Sequence, residues 1–255
     1  MELTRPQSRL ELFFLAVQSL PMRSVHPATL SPRIFGQFSA PKIRLGVIFM
    51  DKMILHWSPR SPFVRKVAVA IREKGLPDRF EFVRSVVPTD DFQHPIFTDN
   101  PLGKIPTLTQ ASGVTWFGSS VILEFLDTLV SEPAMFPGEL EARMYARRLE
   151  AVGEGVMELM IGWLGEKAYP SARHETLRVR RDSKLGKVSG YLENQVGQIN
   201  DAGVNAGTVC VAVALSYLDF RLPEFDWRSE NPKLASWHHI FSERPSMKQT
   251  AFAEG

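Results

Sequence analysis

The sequence predicts two parts, an α/β half followed by an all-helical half. Short apolar runs between about residues 53 and 117 alternate with one amphipathic helix and close in a hairpin, the pattern of a small mixed sheet. Beyond a segment rich in proline and glycine at 131–138 no strand pattern recurs, and the rest reads as helix interrupted at Tyr169-Pro170 and Asp201-Ala202-Gly203. With 255 residues, the chain is long enough to give each part its own core.

Residues 1–50 stand apart. They carry six Lys/Arg against two acids, with five prolines and five serines, the Arg- and Ser-rich composition of an organellar transit peptide. Met50 and Met53 stand just ahead of the first strand, so an over-long start with little fixed structure is the expectation here. Met53-Ile54-Leu55-His56-Trp57 is short and apolar, as a buried strand is. Ser61 then caps a helix: Pro62 sits at the first helical position, Val64, Val67, Ala68 and Ile71 fall at helical spacing, and Gly75 ends it. Phe80 to Val86 reads as a second strand, parallel to the first across that helix. One short helix or a loop is expected from Thr89 to Asn100. Pro106–Thr109 and Val114–Phe117 flank Gln110-Ala111-Ser112-Gly113 as a hairpin, and Ser119 to Val130 is amphipathic helix. The expected divisions are 51–130, a linker at 131–138, and a helical part at 139–255. Its helices are expected over about 139–167, 171–199, 205–220 and 232–241. Val209 to Leu215 is apolar on every face, which marks a central helix.

Composition limits the function. A net charge of +2, a pI near 8.7 and no basic run interleaved with aromatics argue against a nucleic-acid partner. No apolar run reaches the roughly 18 residues that span a bilayer. The lone Cys210 lies in an apolar run and has no partner for an internal disulfide, which suits a reducing, cytoplasmic setting. His238-His239 lack Cys, Asp or Glu at ligand spacing, so no metal is expected and they read as packing or surface residues. His56 reads as core, or as a wall of the site beside it. Arg178, Arg180, Arg181, Lys184 and Lys187 form a basic helix face, whose usual meaning is solvation.

The chemistry begins at Ser61. The positive end of its helix points at the hydroxyl, so an anion such as a thiolate is stabilised there by the dipole and by free N–H groups. Ser58, three residues earlier, is the alternative hydroxyl, with a plain turn role weighed against it. Further on stand Asn100-Pro101-Leu102-Gly103-Lys104-Ile105-Pro106-Thr107-Leu108 and Trp116-Phe117-Gly118-Ser119-Ser120-Val121-Ile122-Leu123-Glu124-Phe125-Leu126-Asp127. In order and spacing these resemble the N-terminal domain of the soluble, serine-type glutathione transferases, and the resemblance runs from about Met53 onward.

That resemblance implies a thioredoxin-like first half and a reaction in which glutathione thiolate attacks a small hydrophobic electrophile. Ser61 matches the serine that stabilises the thiolate. The resemblance implies a cis bond before Pro106, with Ile105 pairing its backbone to the cysteinyl part of glutathione. Lys104 would reach the glycine carboxylate, and Ser119 with Ser120 would take the γ-glutamyl carboxylate. Phe63, Met157, Met160, Ile161 and Trp163 are candidates for the electrophile pocket, and a homodimer is implied. In two places the chain departs from the family: an Asp or Glu usually precedes the serine, and here Gly118 removes a carboxylate that would hold the γ-glutamyl amino group; and the family's central helix opens with a capping box whose acid is replaced here by Thr208, so that Asn205 still caps it but a weaker start is expected. Two other classes remain. A thiol-disulfide oxidoreductase would want cysteine where Ser61 stands, whereas a non-catalytic binding or regulatory protein on the same fold would accommodate Gly118.

Overall fold

The computed structural model describes residues 52–87 and 93–254, so the expectation for residues 1–50 lies outside the described residues. Four strands form the sheet: β1 (Met53–Trp57), β2 (Phe80–Arg84), β3 (Thr107–Thr109) and β4 (Thr115–Phe117), in the order β2-β1-β3-β4. β1 runs parallel to β2 and antiparallel to β3, and β3 pairs antiparallel with β4. The parallel pair is bridged by α1 (Pro62–Glu73) and a 3-10 turn at Pro77–Arg79; α2 (Ile96–Asp99) precedes β3, and α3 (Ser119–Leu129) follows β4. This is the thioredoxin-like mixed sheet. Its core joins Leu55 and Leu108 of the sheet to Val67 and Ile71 of α1 and Ile122 and Leu126 of α3, all fully buried. Each such aliphatic side chain contributes roughly 1.5–3 kcal/mol of transfer free energy.

The helical part comprises α4 (Leu140–Ala168), α5 (His174–Glu193), α6 (Val196–Asp201), α7 (Ala206–Arg221), α8 (Pro232–Ser242) and α9 (Pro245–Lys248). α7 is its centre, buried from Ala206 through Leu215. α4 packs closely on α7 because glycines stand at the crossing. A Cβ on Gly207 would lie 2.7 Å from Leu149 Cβ, and one on Gly153 would lie 2.7 Å from Cys210 Sγ.

Two local expectations are corrected. The single helix read over 171–199 breaks at Asn194-Gln195, where the Asn194 amide donates to the Gly190 carbonyl at 2.9 Å and ends α5. Thr208 was expected to weaken the start of α7 by replacing the acid of the family's capping box. Its hydroxyl instead accepts the Asn205 N–H at 3.0 Å, while Asn205 Oδ1 accepts from Gly207 and Thr208, so the box is complete. The two cores also exchange residues: Val69 of α1 belongs to the helical cluster and Ala206 of α7 to the sheet's cluster.

Candidate functional site

Strand register gathers the candidate segments. His56 pairs with Thr107, and Thr107 with Phe117, across three strands. The turn from β1 into α1, the loop ahead of β3 and the turn from β4 into α3 therefore emerge at one end of the sheet, the carboxyl end of β1. Open α/β sheets bind ligands outside that end of their strands.

Ser61 caps α1 from an extended conformation, its Oγ accepting the Val64 N–H at 3.3 Å. That bond uses a lone pair. The hydroxyl proton has no acceptor among the described residues, so the cap leaves a donor at the positive end of a 12-residue helix. Ser58 Oγ accepts the Arg60 N–H at 3.3 Å and its carbonyl accepts from Ser61, the pattern of a turn hydroxyl. The tail crosses this turn, with the Ala253 N–H on the Pro59 carbonyl at 3.4 Å.

The peptide bond from Ile105 to Pro106 is cis. The loop around it is braced by Asn100, whose amide donates to the Lys104 carbonyl at 2.8 Å and to Thr107 Oγ1 at 3.0 Å, while Thr107 Oγ1 donates to the same carbonyl at 2.8 Å. Lys104 stands exposed, and Ile105 is half-buried.

At the third segment Gly118 adopts φ 86 and offers no side chain to cap α3. Buried Ser119 donates from Oγ to Glu154 Oε1 at 3.0 Å, and Ser120 Oγ lies 2.8 Å from Glu150 Oε1 and 3.1 Å from Glu154 Oε1. Both glutamates come from α4. Between them sits Lys66 of α1, fully buried, with Nζ 2.7 Å from Glu150 and 2.8 Å from Glu154. Burial pulls the Lys66 ammonium down, but the attraction of its neighbours outweighs it and the pKa is raised. Among those neighbours Cys210 is a neutral thiol, pushed up to about 12 by burial, so the carboxylates carry the effect. Burial likewise pushes Glu154 up, and Lys66 with the two serine hydroxyls more than offsets it, leaving Glu154 lowered and ionised.

The N-terminal domain family of the glutathione S-transferases matches residues 60–129, which contain Ser61, the Ile105–Pro106 bond and the start of α3. The uncharacterised GST-like protein YibF of Escherichia coli is 32% identical over 203 residues, spanning 78% of this chain and 98% of that protein. The chain belongs to the glutathione S-transferase family. A transferase family member from Pseudomonas fluorescens, solved with bound glutathione, superposes with a TM-score of 0.75 at 31% identity, covering 80% of this chain and all of that one. A glutathione S-transferase from Methylobacillus flagellatus, also with glutathione bound, gives 0.68 at 28% identity, over 79% of this chain and all of that one.

For this transferase-family chain the pocket expectation needs correction. Met157 and Met160 have no exposed surface and Trp163 is buried beneath the Arg181 guanidinium at 4.1 Å, so all three are helical core and present no wall to a ligand. Phe63 is half-buried against that core and Ile161 is exposed. Arg181 likewise leaves the solvated basic face, being buried and paired with Asp182 at 2.6 Å. His56 is held between Ser85 Oγ at 2.8 Å and Asp99 Oδ2 at 3.2 Å, which ties β1 to the segment after β2 and to α2. His238 is buried beside Ser216, whereas His239 is exposed. Among the described residues no cluster of His, Cys, Asp and Glu could hold a metal, and no helix is long and apolar enough to cross a membrane. Sequence reasoning missed Lys66, Glu150 and Glu154. Their separations from Ser119 and Ser120 or from one another reach 88 positions, and the one sequence hint was a lysine on the otherwise apolar face of α1.

Proposed function

We propose that this chain binds glutathione along the carboxyl end of β1 and joins its thiolate to a small hydrophobic electrophile. The observation that carries the reading is the Ser61 hydroxyl proton at the start of α1, which has no acceptor among the described residues, in register with the cis Ile105–Pro106 bond and the start of α3. The glutathione seen in the Pseudomonas and Methylobacillus relatives supports the ligand. Ser61 donates to the sulfur. Lowering a thiol pKa by two units takes about 2.7 kcal/mol, within the reach of one charge-assisted hydrogen bond plus a helix dipole. The backbone of Ile105 pairs with the cysteinyl unit, Lys104 meets the glycine carboxylate, and the first N–H groups of α3, at Ser119 and Ser120, take the γ-glutamyl carboxylate. The thiolate lone pair then forms the new C–S bond as the electrophile's leaving group departs with its electron pair. Phe63 supplies an apolar wall for that electrophile.

In this reading the protein works in the cytoplasm as a homodimer, a state supported by Val121, Leu140 and Met144, large apolar side chains left exposed on α3 and α4. Calorimetric titration with glutathione, followed by turnover of a panel of electrophiles, tests the function. Saturable binding with conjugation that Ser61→Ala suppresses supports it. Gly118, which takes an acid out of the ligand site, favours one second reading, a non-catalytic binding or regulatory protein on the same fold, which predicts no saturable binding of glutathione up to millimolar concentration and no conjugation.

A further inference from the structure

The acid that Gly118 lacks is present in space, on another element. Glu154 reaches from α4 to the start of α3, and among the described residues every hydrogen bond of its side chain runs to one oxygen: Oε1 meets Lys66 Nζ at 2.8 Å, Ser119 Oγ at 3.0 Å and Ser120 Oγ at 3.1 Å. Oε2 has no partner among the described residues and is not among the buried unpartnered atoms, and the side chain keeps 28% of its surface exposed. An ionised carboxylate is thus fastened by one oxygen and offers the other to solvent beside the N–H groups that open α3. In an α-amino acid the ammonium adjoins the carboxylate, so a head group with its carboxylate on those N–H groups has its ammonium beside Glu154. At residue 118 itself the backbone, with φ 86, disfavours any side chain.

We infer that Glu154 is the specificity residue for the free α-amino group of a γ-glutamyl ligand, doing from the helical part what an acid at position 118 would otherwise do. This rests on the glutathione reading above. Lys66 is a positioning residue here: it touches no ligand, and it holds Oε1 so that Oε2 faces outward. Ser119 is reassigned in part, since its hydroxyl proton goes to Glu154 and its backbone N–H remains for the ligand carboxylate.

The test is titration of the full chain with S-methylglutathione and with its deaminated analogue, in which a glutaryl group replaces the γ-glutamyl group. Wild type should bind the analogue more weakly by roughly tenfold or more, the size of one charge-assisted hydrogen bond. Glu154→Gln should weaken S-methylglutathione by a similar factor and leave the analogue within about threefold of wild type, so discrimination collapses. Equal weakening of both ligands in Glu154→Gln would mark a merely structural role and overturn the inference, as would a wild type that fails to discriminate. Wild type that binds neither ligand would instead overturn the glutathione reading, and this inference with it. A thermal melt of Glu154→Gln, and Glu154→Asp as the charge-retaining variant that should recover part of the discrimination, keep folding apart from recognition.

Discussion

At the scale of single residues, Ser61 divides its hydroxyl between two tasks. The oxygen caps α1, and the hydrogen has no acceptor among the described residues. Replacement by alanine therefore removes both a cap, worth about 1 kcal/mol of stability, and the donor to sulfur. With Ser61→Ala the thiol of bound glutathione should titrate near the roughly 8.5 of a free thiol, whereas wild type should titrate one to two units lower. Ultraviolet absorbance of the thiolate across a pH series reads this directly, and identical titrations would move the role to backbone N–H groups. Ser58→Ala serves as the comparison. Its hydroxyl is occupied in a turn, and the same titration should not move.

Among elements, the contact of α4 with α7 and the lysine between α1 and α4 set the tolerances. Gly207 lies against the backbone carbonyl of Ala146 as well as Leu149, so Gly207→Ala forces the helices apart. A loss of about 1–3 kcal/mol is expected from such overpacking in an interior of this density, measured as a lowered urea midpoint. Lys66→Met keeps the bulk of the side chain but strands Glu150 and Glu154 beside each other without the buried cation. Breaking a buried pair from one side costs about 3–5 kcal/mol. The double variant Lys66→Met with Glu154→Gln should recover part of that loss, and additive losses in the denaturation series would mean that the three groups are not coupled.

For the molecule as a whole, stability should depend on pH through His238. Burial lowers its pKa to about 4, against about 6.5 in an unfolded chain. Between these values the unfolded state binds the extra proton, so this group's contribution is undiminished above pH ~6.5 and falls by up to about 1.4 kcal/mol per unit as pH drops towards 4. Denaturation curves at pH 7 and 5 should show that slope, and His238→Gln should flatten it. A slope unchanged in His238→Gln would assign the acid sensitivity to carboxylates.

What could be read in the sequence was local. The Ser61-Pro62 cap, the bounds of β1, the hairpin and the central apolar helix each follow from neighbours within a turn or two, and the structure has them where their residues predicted. The Lys66, Glu150 and Glu154 cluster was not legible, because its geometry exists only once α1, α3 and α4 are packed. Met157 and Met160 illustrate the same limit, since helical spacing tells which residues share a face but not whether that face meets a ligand or another helix. Thr208 shows a chemical limit: a hydroxyl accepts a hydrogen bond as an acid does, so a motif defined by residue type misses a cap defined by function.

The exchange of Val69 and Ala206 between the two cores bears on how such a chain can change over generations. A crossover at the proline-rich stretch between α3 and α4 would join a sheet half and a helical half whose border residues were never selected together. A hybrid inheriting α1 from one parent and α7 from another must fill, at each of these two positions, a space shaped by the other parent's cluster, so a mismatch in volume there costs stability.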